Sequence, residues 1–344
     1  MIRFECDYAE GAHAKVLQML QETNFEQTPG YGMDVYCEKA RGLVKTLCKD
    51  ESVDVHFLVG GTQANKTIIA SILRPYQGVL CASTGHINVH ETGAIEATGH
   101  KVLPLESFDG KITAEQIQEA YDAHWNDSSN EHMVQPGVVY ISNPSENGTI
   151  YTKQELTKIS ETCHRCNLPL FLDGARLGYG ITAKGNDLTI ADIAKLCDVF
   201  YIGGTKVGAL FGEAVVITNK DLKKDFRYYI KQNGGMLAKG RLLGIQFTAL
   251  LEDDLYFIIS DWANQMAYRI KDALTKKGIR LLYDSMTNQQ YPIFETKQLE
   301  LLSKKYAFNF WTKVDENHSA VRICTSWATK EEDVAQLVQD ILEL

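Results

Sequence analysis

The segment Leu170-Phe171-Leu172-Asp173-Gly174-Ala175-Arg176 carries the pattern that decides the fold. Three large apolar residues come first, an acidic residue follows at once, and two small residues come next. A short, continuous apolar run is typical of a strand that is buried on both faces of a parallel sheet. Such sheets bind their ligands at the carboxyl ends of the strands. We therefore predict a buried parallel strand over 168–172, with Asp173 at the edge where a ligand would lie.

Similar apolar runs recur along the first two thirds of the chain, and helical stretches separate many of them. We predict strands at 53–59, 79–82, 101–104, 137–142, 168–172, 199–203 and 214–218. The helical stretches that we predict between them include 63–73, 114–121, 153–166 and 190–196. This alternation, without any internal repeat, predicts an α/β fold with a doubly wound, mostly parallel seven-stranded sheet flanked by helices.

Beyond about Asp253 the alternation stops. A long helix over 262–277 precedes several mixed runs, and we expect a closing helix over 330–344 with Thr329 as its cap and Glu332 completing a capping box. We predict a large domain at 22–253 and a smaller α+β domain at 254–344. The N-terminal segment 1–21 is expected to pack with the small domain or at a subunit interface.

The composition excludes several classes of protein. The chain has 344 residues and a formal net charge of −9, with 44% hydrophobic and 23% charged residues. These values exclude a disordered chain, and the acidic balance argues against a nucleic-acid binder. No apolar run approaches the roughly 20 residues of a membrane helix, and Met1–Asp7 carries no signal-peptide pattern. We therefore expect a soluble, cytoplasmic protein with neither a membrane nor a nucleic acid as its partner.

Two residue pairs have spacings that metal sites also use. Cys163 and Cys166, two of eight cysteines, are separated by two residues, but there is no second pair at zinc-finger distance. Their position on a predicted helix favours two small side chains on a helix surface over a metal or redox site. His86 and His90 are four residues apart, but no third ligand is obvious. We predict free thiols and no metal.

Three segments indicate a ligand. Gly60-Gly61-Thr62-Gln63 follows a predicted strand and opens a helix, so its backbone N–H groups suit a phosphate. It matches neither the Gly-x-Gly-x-x-Gly nor the Walker A pattern, and a simple tight turn is the alternative. Asp173 suits the protonated nitrogen of a heteroaromatic ring, although a structural pair with Arg176 is equally open. Lys206 lies among small residues just past a buried strand, where desolvation makes an amine nucleophilic; the alternative is an ordinary surface lysine.

Together these segments resemble the fold-type I pyridoxal-phosphate enzymes, and specifically the threonine aldolase/β-eliminating lyase family. The resemblance covers most of the chain, and its further segments follow in the family's order: 6–13, 29–36, 61–65, 85–94, 234–236 and 321–326. It implies a fold like that of aspartate aminotransferase and pyridoxal phosphate as the cofactor. It also implies a homodimer or homotetramer with active sites at the subunit interface.

The resemblance also implies a role for individual residues. Lys206 would bond covalently to the cofactor, Asp173 would pair with its ring nitrogen, and His86 would stack on the ring, with Glu91 bracing that region. The cofactor-binding residues implied in this way are Gly61, Thr62, Gln63, His86, Asp173, Arg176, Thr205 and Lys206. The substrate-binding residues implied are Cys6, Arg176, Arg322 and Tyr31, the last reaching the site of a neighbouring subunit.

Two positions depart from the family pattern. Cys6 stands where the family often has serine, and a thiol is a weaker donor. Glu146 is the counterpart of a histidine that aldolases of the family place in the segment 142–148. The catalytic candidates are therefore Lys206, His86 and Glu146, and the proton acceptor is Glu146, His86 or a water molecule.

The resemblance favours cleavage of a β-hydroxy-α-amino acid, such as threonine or allo-threonine, to glycine and an aldehyde. One alternative is β-elimination that releases pyruvate and ammonia. Glu146 in place of the family's histidine favours this alternative to some extent. Another is a degenerate relative that binds the cofactor without turnover. A nicotinamide-dependent Rossmann enzyme is the least favoured, because the glycine fingerprint is missing.

Overall fold

Strands and helices alternate through most of the structure, a computed structural model that describes residues 1–344. The strands are β1 (Ile2–Arg3), β2 (Asp54–Leu58), β3 (Gln77–Ala82), β4 (Lys101–Leu105), β5 (Gln135–Ser142), β6 (Leu170–Asp173), β7 (Val199–Gly203), β8 (Glu213–Ile217), β9 (Gln289–Gln290), β10 (Ile293–Glu295), β11 (Tyr306–Ala307), β12 (Asn309–Lys313) and β13 (His318–Cys324). The helices are α1 (Ala14–Glu22), α2 (Val35–Cys48), α3 (Gly61–Ile72), α4 (His86–Val89), α5 (Ala114–Trp125), α6 (Lys153–Arg165), α7 (Leu177–Ile181), α8 (Ile190–Leu196), α9 (Phe226–Gln232), α10 (Arg241–Leu251), α11 (Leu255–Lys276), α12 (Thr296–Leu302) and α13 (Glu331–Glu343).

The central sheet has seven strands in the order β2-β8-β7-β6-β5-β3-β4. All run parallel except β8, which is antiparallel to both of its neighbours. The connection from β7 to β8 is too short for the crossover that a parallel pair requires, so the chain turns straight back. The α/β class and the mostly parallel seven-stranded sheet are confirmed.

A second, smaller sheet lies in the C-terminal part, where β13 pairs antiparallel with β9, β10 and β12. A separate apolar core joins this sheet to α11 and α13. The N-terminal segment is divided between the two parts, because Phe4 packs in this smaller core whereas Val16 of α1 packs in the main one. We keep the boundary between 22–253 and 254–344 as a proposal.

Side-chain capping follows the sequence at one predicted helix and departs from it at another. Thr152 and Glu155 form a capping box at the start of α6, which is the helix predicted over 153–166. The cap predicted at Thr329 is wrong. The hydroxyl of Thr329 accepts a hydrogen bond from the Ser326 amide at 2.7 Å, so it serves a tight turn and α13 begins after Lys330 instead.

The structure also bears on the predictions made for the cysteines, for a metal site and for membrane-spanning helices. All eight cysteines are free thiols. Cys163 and Cys166 are both buried against the main core, so the prediction that they lie on a helix surface is wrong. No group of three or more His, Cys, Asp or Glu side chains has an arrangement that would hold a metal ion. None of the helices combines the length and the apolar composition that crossing a bilayer requires.

Candidate active site

A cavity of about 130 Å³ opens where the carboxyl ends of β5, β6 and β7 meet the N-terminus of α3. This is the edge of the sheet where the sequence placed Asp173. The cavity is lined by Gly61, Thr62, Asn65, His86, Ser142, Pro144, Glu146, Asp173, Ala175, Arg176, Tyr201, Thr205, Lys206 and Glu213. The structure thus brings together most of the predicted site residues, although they come from distant parts of the chain.

The N-terminus of α3 forms one wall of the cavity. Its N-cap is Gly60, which has no side chain to accept a hydrogen bond from the first turn, so those N–H groups stay available. Gly61 is tightly placed, because a Cβ there would lie 3.2 Å from the Tyr201 hydroxyl. Gln63 does not point its side chain into the cavity: its Oε1 accepts from the Val59 amide and its Nε2 donates to the Asn233 carbonyl. Of the residues in this turn, Gly61 and Thr62 are therefore the ones that could hold an anion.

Asp173 is 5% exposed at the end of β6, and three donors surround its carboxylate. Oδ2 accepts from the Tyr140 hydroxyl at 2.6 Å and from Asn65 Nδ2 at 3.0 Å, and Oδ1 accepts from the Ala175 amide at 2.9 Å. Burial opposes ionisation, but the hydrogen bonds outweigh it, and the pKa of Asp173 lies below its ordinary value. The site therefore holds a fixed negative charge that can stabilise a protonated ring nitrogen.

Lys206 is partly buried and is the only lysine on the cavity wall. Burial, assisted by the positive charge of Arg176, lowers the pKa of its amine, while Asp7, Asp173 and Glu213 oppose the shift. Its backbone is held in place, because the Tyr179 hydroxyl donates to the Lys206 carbonyl at 2.5 Å. An anchored amine with a lowered pKa is a better nucleophile than an ordinary surface lysine.

His86 belongs to a closed ring of polar contacts around the cavity, in which the single proton of Ser142 can serve either Tyr140 or Glu146. Its Nδ1 lies 2.8 Å from Glu91 Oε1, which also accepts from Asn65 Nδ2 at 2.7 Å. From Asn65 the ring continues through Asp173 to Tyr140, and then through Ser142 to Glu146. The His86 amide donates to Glu146 Oε1 at 3.0 Å and completes the ring. The Glu91 brace that the family resemblance implied is present as a contact.

Arg176 lines the cavity but pairs with Asp7 rather than with Asp173. Its Nε and Nη2 donate to the two carboxylate oxygens of Asp7 at 2.7 and 2.9 Å, and Asn288 Nδ2 adds a bond of 2.9 Å. Burial acts against the positive charge, but Asp7 raises the pKa of Arg176 above its ordinary value. Nη1 makes no hydrogen bond in this pair, so one donor edge of the guanidinium remains for a ligand.

Three predicted substrate residues lie outside the cavity wall. Arg322 donates to Gln289 Oε1 and to the Glu5 carbonyl, and its buried Nε has no partner. Cys6 is also absent from the lining. Tyr31 has a left-handed φ of 60° and lines a separate depression with Arg227, so it does not reach this chain's own cavity.

Four residues of the site carry no assigned role in the sequence-based predictions: Asn65, Tyr140, Asp7 and Glu213. Asn65 and Asp7 stand within the segments that carry the family resemblance, but nothing local identifies their partners. Tyr140 is one more apolar strand position in the sequence. For Glu213 the sequence does contain a signal: it is an acidic residue at the start of a buried apolar run, just as Asp173 is an acidic residue at the end of one.

Comparison with known proteins gives the family. Residues 7–298 match the family described as beta-eliminating lyase. The low specificity L-threonine aldolase of Pseudomonas sp. is 30% identical over 344 residues, covering 98% of this chain and 96% of that protein. The threonine aldolase of Leishmania major is 45% identical, with a TM-score of 0.97 over 100% of this chain and 99% of that one.

A more distant structure shows the fold alone. An aspartate aminotransferase of Thermus thermophilus superposes with a TM-score of 0.72 at 14% identity, covering 100% of this chain and 91% of that one. It confirms the fold-type I architecture that the resemblance implied. The match over residues 7–298 and the relatives that align along nearly the whole chain lead to one conclusion: this chain belongs to the beta-eliminating lyase family.

Proposed function

We propose that the chain is a pyridoxal-phosphate-dependent carbon–carbon lyase. Its substrate would be a β-hydroxy-α-amino acid such as threonine or allo-threonine, and its products glycine and an aldehyde. One observation carries the proposal: an amine, a fixed carboxylate and a free helix N-terminus surround a single cavity, at Lys206, Asp173 and Gly61. The names of the relatives that align over nearly the whole chain support the same activity.

The residues present fit pyridoxal phosphate. The uncapped first turn of α3 suits its phosphate, Lys206 suits its aldehyde, and the ionised Asp173 suits its ring nitrogen. A buried Tyr201 hydroxyl without a hydrogen-bond partner also faces this cavity. When bound, the cofactor supplies an electron sink for the charge that develops on the substrate's α-carbon.

The arginines are suited to the substrate carboxylate. Arg176 lines the cavity with Nη1 uncommitted, and Arg322 keeps a buried Nε without a partner. A guanidinium recognises a carboxylate through two parallel hydrogen bonds, which fixes its orientation as well as its position. We assign the substrate carboxylate to these two side chains, with Cys6 as a weaker neighbouring donor, and His86 to the face of the cofactor ring.

Glu146 is our candidate for the group that takes the proton from the substrate's β-hydroxyl. Its Oε1 accepts from Ser142 Oγ at 2.7 Å and from the His86 amide, whereas its buried Oε2 has no partner. Burial, with the charge of Asp173 adding to it, raises the pKa of Glu146 against the opposing hydrogen bond from Ser142. A carboxylate with a raised pKa and a free oxygen at the cavity wall is suited to accept a proton.

Substituting Glu146→Gln is expected to lower kcat by about 10²–10⁴-fold, the usual range for loss of a proton-transfer group. In the wild type, activity should fall on the acid side as Glu146 becomes protonated, at a pH above the ordinary range of a glutamate because its pKa is raised. The measurement is a pH profile of glycine formation for both proteins. Glu106→Gln, at an exposed position outside the cavity, is the control. An unchanged kcat and acid limb in Glu146→Gln would assign the proton to His86 or to water.

The products test the proposed function directly. With pyridoxal phosphate added, the purified protein should release glycine and acetaldehyde in equal amounts from L-threonine or L-allo-threonine. The second candidate, β-elimination, is favoured by Glu146 in place of histidine, since a carboxylic acid can protonate a leaving group on Cβ. Formation of 2-oxobutanoate and ammonia from threonine, or of pyruvate and ammonia from serine, without glycine, would establish it. If the protein binds the cofactor but turns over no amino acid, the result would support the remaining alternative, a degenerate relative without catalytic activity.

We also propose that the enzyme acts in the cytoplasm as a homodimer or homotetramer. Exposed apolar side chains cluster in sequence around Tyr31, which is itself 48% exposed, and include Met33 at 63% and Val35 at 69%. An exposed set of this kind suits a subunit interface. In that assembly Tyr31 would extend from one subunit toward the cavity of the next.

A further inference from the structure

Glu213 is a buried acid on the wall of the proposed cofactor cavity. It is the first residue of β8 and lies 2% exposed between two strand ends. On one side its register partner is Gly203, which leads into Thr205 and Lys206; on the other it is Leu58, which leads into the α3 turn. Glu213 therefore lies next to the starts of both segments that would contact the cofactor, the Thr205–Lys206 segment and the α3 turn.

The carboxyl group of Glu213 has two hydrogen-bond partners, and neither is charged. Thr205 Oγ1 lies 2.7 Å from Oε1, and the Gly204 amide donates to Oε2 at 3.1 Å. The Thr205 hydroxyl also accepts from the Gly212 amide at 3.1 Å. A hydroxyl has one proton to donate and two lone pairs to accept with. While Glu213 is ionised, the single proton of Thr205 must point toward Glu213 and away from the cavity.

Protonation of Glu213 reverses this hydrogen bond. The carboxylic acid then donates from Oε1 to Thr205 Oγ1, and the two lone pairs of the hydroxyl are used by Glu213 and Gly212. The proton of Thr205 becomes free to turn into the cavity, which Thr205 lines together with Thr62. The same change removes a negative charge from the wall of a site that suits a phosphate.

The surroundings of Glu213 make this proton available near neutral pH. Burial is the main cause that raises its pKa to about 8, and the charge of Asp173 on β6 adds to the shift, whereas Thr205, Lys206 and Gly204 oppose it. The other titratable groups near it are Tyr201 on β7 and Tyr256 on α11. β2, on its other side, presents the apolar Leu58.

We propose that Glu213 is a positioning residue that, as a neutral acid, turns the Thr205 hydroxyl toward the cofactor phosphate. Ionised, it would draw that hydroxyl away and weaken cofactor binding. The inference rests on the proposed cofactor. The direction of the pH dependence follows from linkage, because cofactor binding favours protonated Glu213. The affinity for the cofactor is therefore highest below the pKa of Glu213 in the cofactor-free protein, and it falls as the pH rises through that pKa.

Glu213→Gln tests the inference because glutamine imitates the protonated acid at every pH. Its amide donates to Thr205 while its carbonyl oxygen accepts from the Gly204 amide. The full-length holoenzyme is dialysed to equilibrium at pH 7 and at pH 9 against known concentrations of pyridoxal phosphate, and the bound cofactor is measured. Between these pH values the Kd of the wild type should rise more than the Kd of Glu213→Gln, by up to about tenfold.

Two further binding experiments test whether the pH effect acts through the cofactor phosphate and through the Thr205 hydroxyl. Pyridoxal lacks the phosphate, so its Kd should show no difference in pH dependence between wild type and Glu213→Gln. Thr205→Val lacks the hydroxyl, so it should bind pyridoxal phosphate more weakly at pH 7 and lose the pH effect. The Thr205→Val experiment does not need Glu213→Gln: if Glu213→Gln does not fold, a Thr205→Val protein whose Kd still rises between pH 7 and pH 9 as much as that of the wild type would overturn the inference.

Each outcome has one meaning. An equal pH dependence in wild type and Glu213→Gln would overturn the inference while leaving the proposed function intact. An equal Glu213-dependent effect on pyridoxal would overturn it in favour of an action through Lys206. No binding of pyridoxal phosphate by the wild type at either pH would instead contradict the proposed function.

Discussion

Replacing Lys206 with alanine is expected to abolish covalent attachment of pyridoxal phosphate and to lower the rate of substrate cleavage by at least about a thousandfold. Lys206 is the only lysine on the cavity wall, and burial with the charge of Arg176 lowers the pKa of its amine. No neighbouring lysine can therefore replace the nucleophile. Borohydride reduction followed by mass spectrometry of the intact chain measures the attachment, and glycine formation measures the rate.

The control for this substitution is Lys195→Ala. Lys195 is exposed on α8 and lies outside the cavity, so its loss should leave both the attachment and the rate unchanged. A Lys206→Ala protein that still gains the mass of the reduced cofactor, or that works within tenfold of the wild type, would place the nucleophile elsewhere.

The parts of the site that the sequence predicted are those whose signal is local. Asp173 ends a continuous apolar run, Lys206 follows another, and Gly61 opens a helix after a strand. In a parallel sheet the carboxyl ends of the strands lie at one edge, so the prediction of the strands also brought these residues together. The strand at 199–203 has the predicted bounds, and the others differ by a few residues at their ends.

The parts that the sequence could not predict depend on partners far apart in the chain. Asp7 meets Arg176 across 169 positions, and Asn65 meets Asp173 across 108. An acid three residues before Arg176 suggested a local pair, but Asp173 is already satisfied by Tyr140, Asn65 and the Ala175 amide. Hydrogen-bond competition of this kind is decided by the packing of the whole domain, and local spacing does not report it.

Substituting Asp7→Asn is expected to lower the free energy of unfolding by about 3–5 kcal/mol, because it leaves the buried Arg176 charge without its counter-ion. The side chain of Asp7 is fully buried and that of Arg176 is 10% exposed. The carboxylate also accepts from Asn288, so the substitution weakens the tie between the N-terminal segment, Arg176 and the loop before β9. Urea unfolding at pH 7, followed by tryptophan fluorescence, measures the loss.

A surface ion pair with a single contact of similar length provides the control. Arg269 and Glu331 lie 2.8 Å apart with exposed side chains, so Glu331→Gln should cost no more than about 1 kcal/mol. An Asp7→Asn protein within about 1 kcal/mol of the wild type would show that the buried pair adds no more than this surface pair.

The dependence on pH separates loss of the ion pair from general damage to the packing. Burial opposes the ionisation of Asp7, but the charge and hydrogen bonds of Arg176 lower its pKa to about 2. The ordinary value in an unfolded chain is about 3.9, so the stabilisation is complete above that pH and is lost as the pH falls toward 2. The wild type should therefore approach Asp7→Asn in stability as the pH is lowered from 5, whereas the gap between wild type and Glu331→Gln should stay small. A gap for Asp7→Asn that does not narrow with acid would attribute the loss to packing instead of charge.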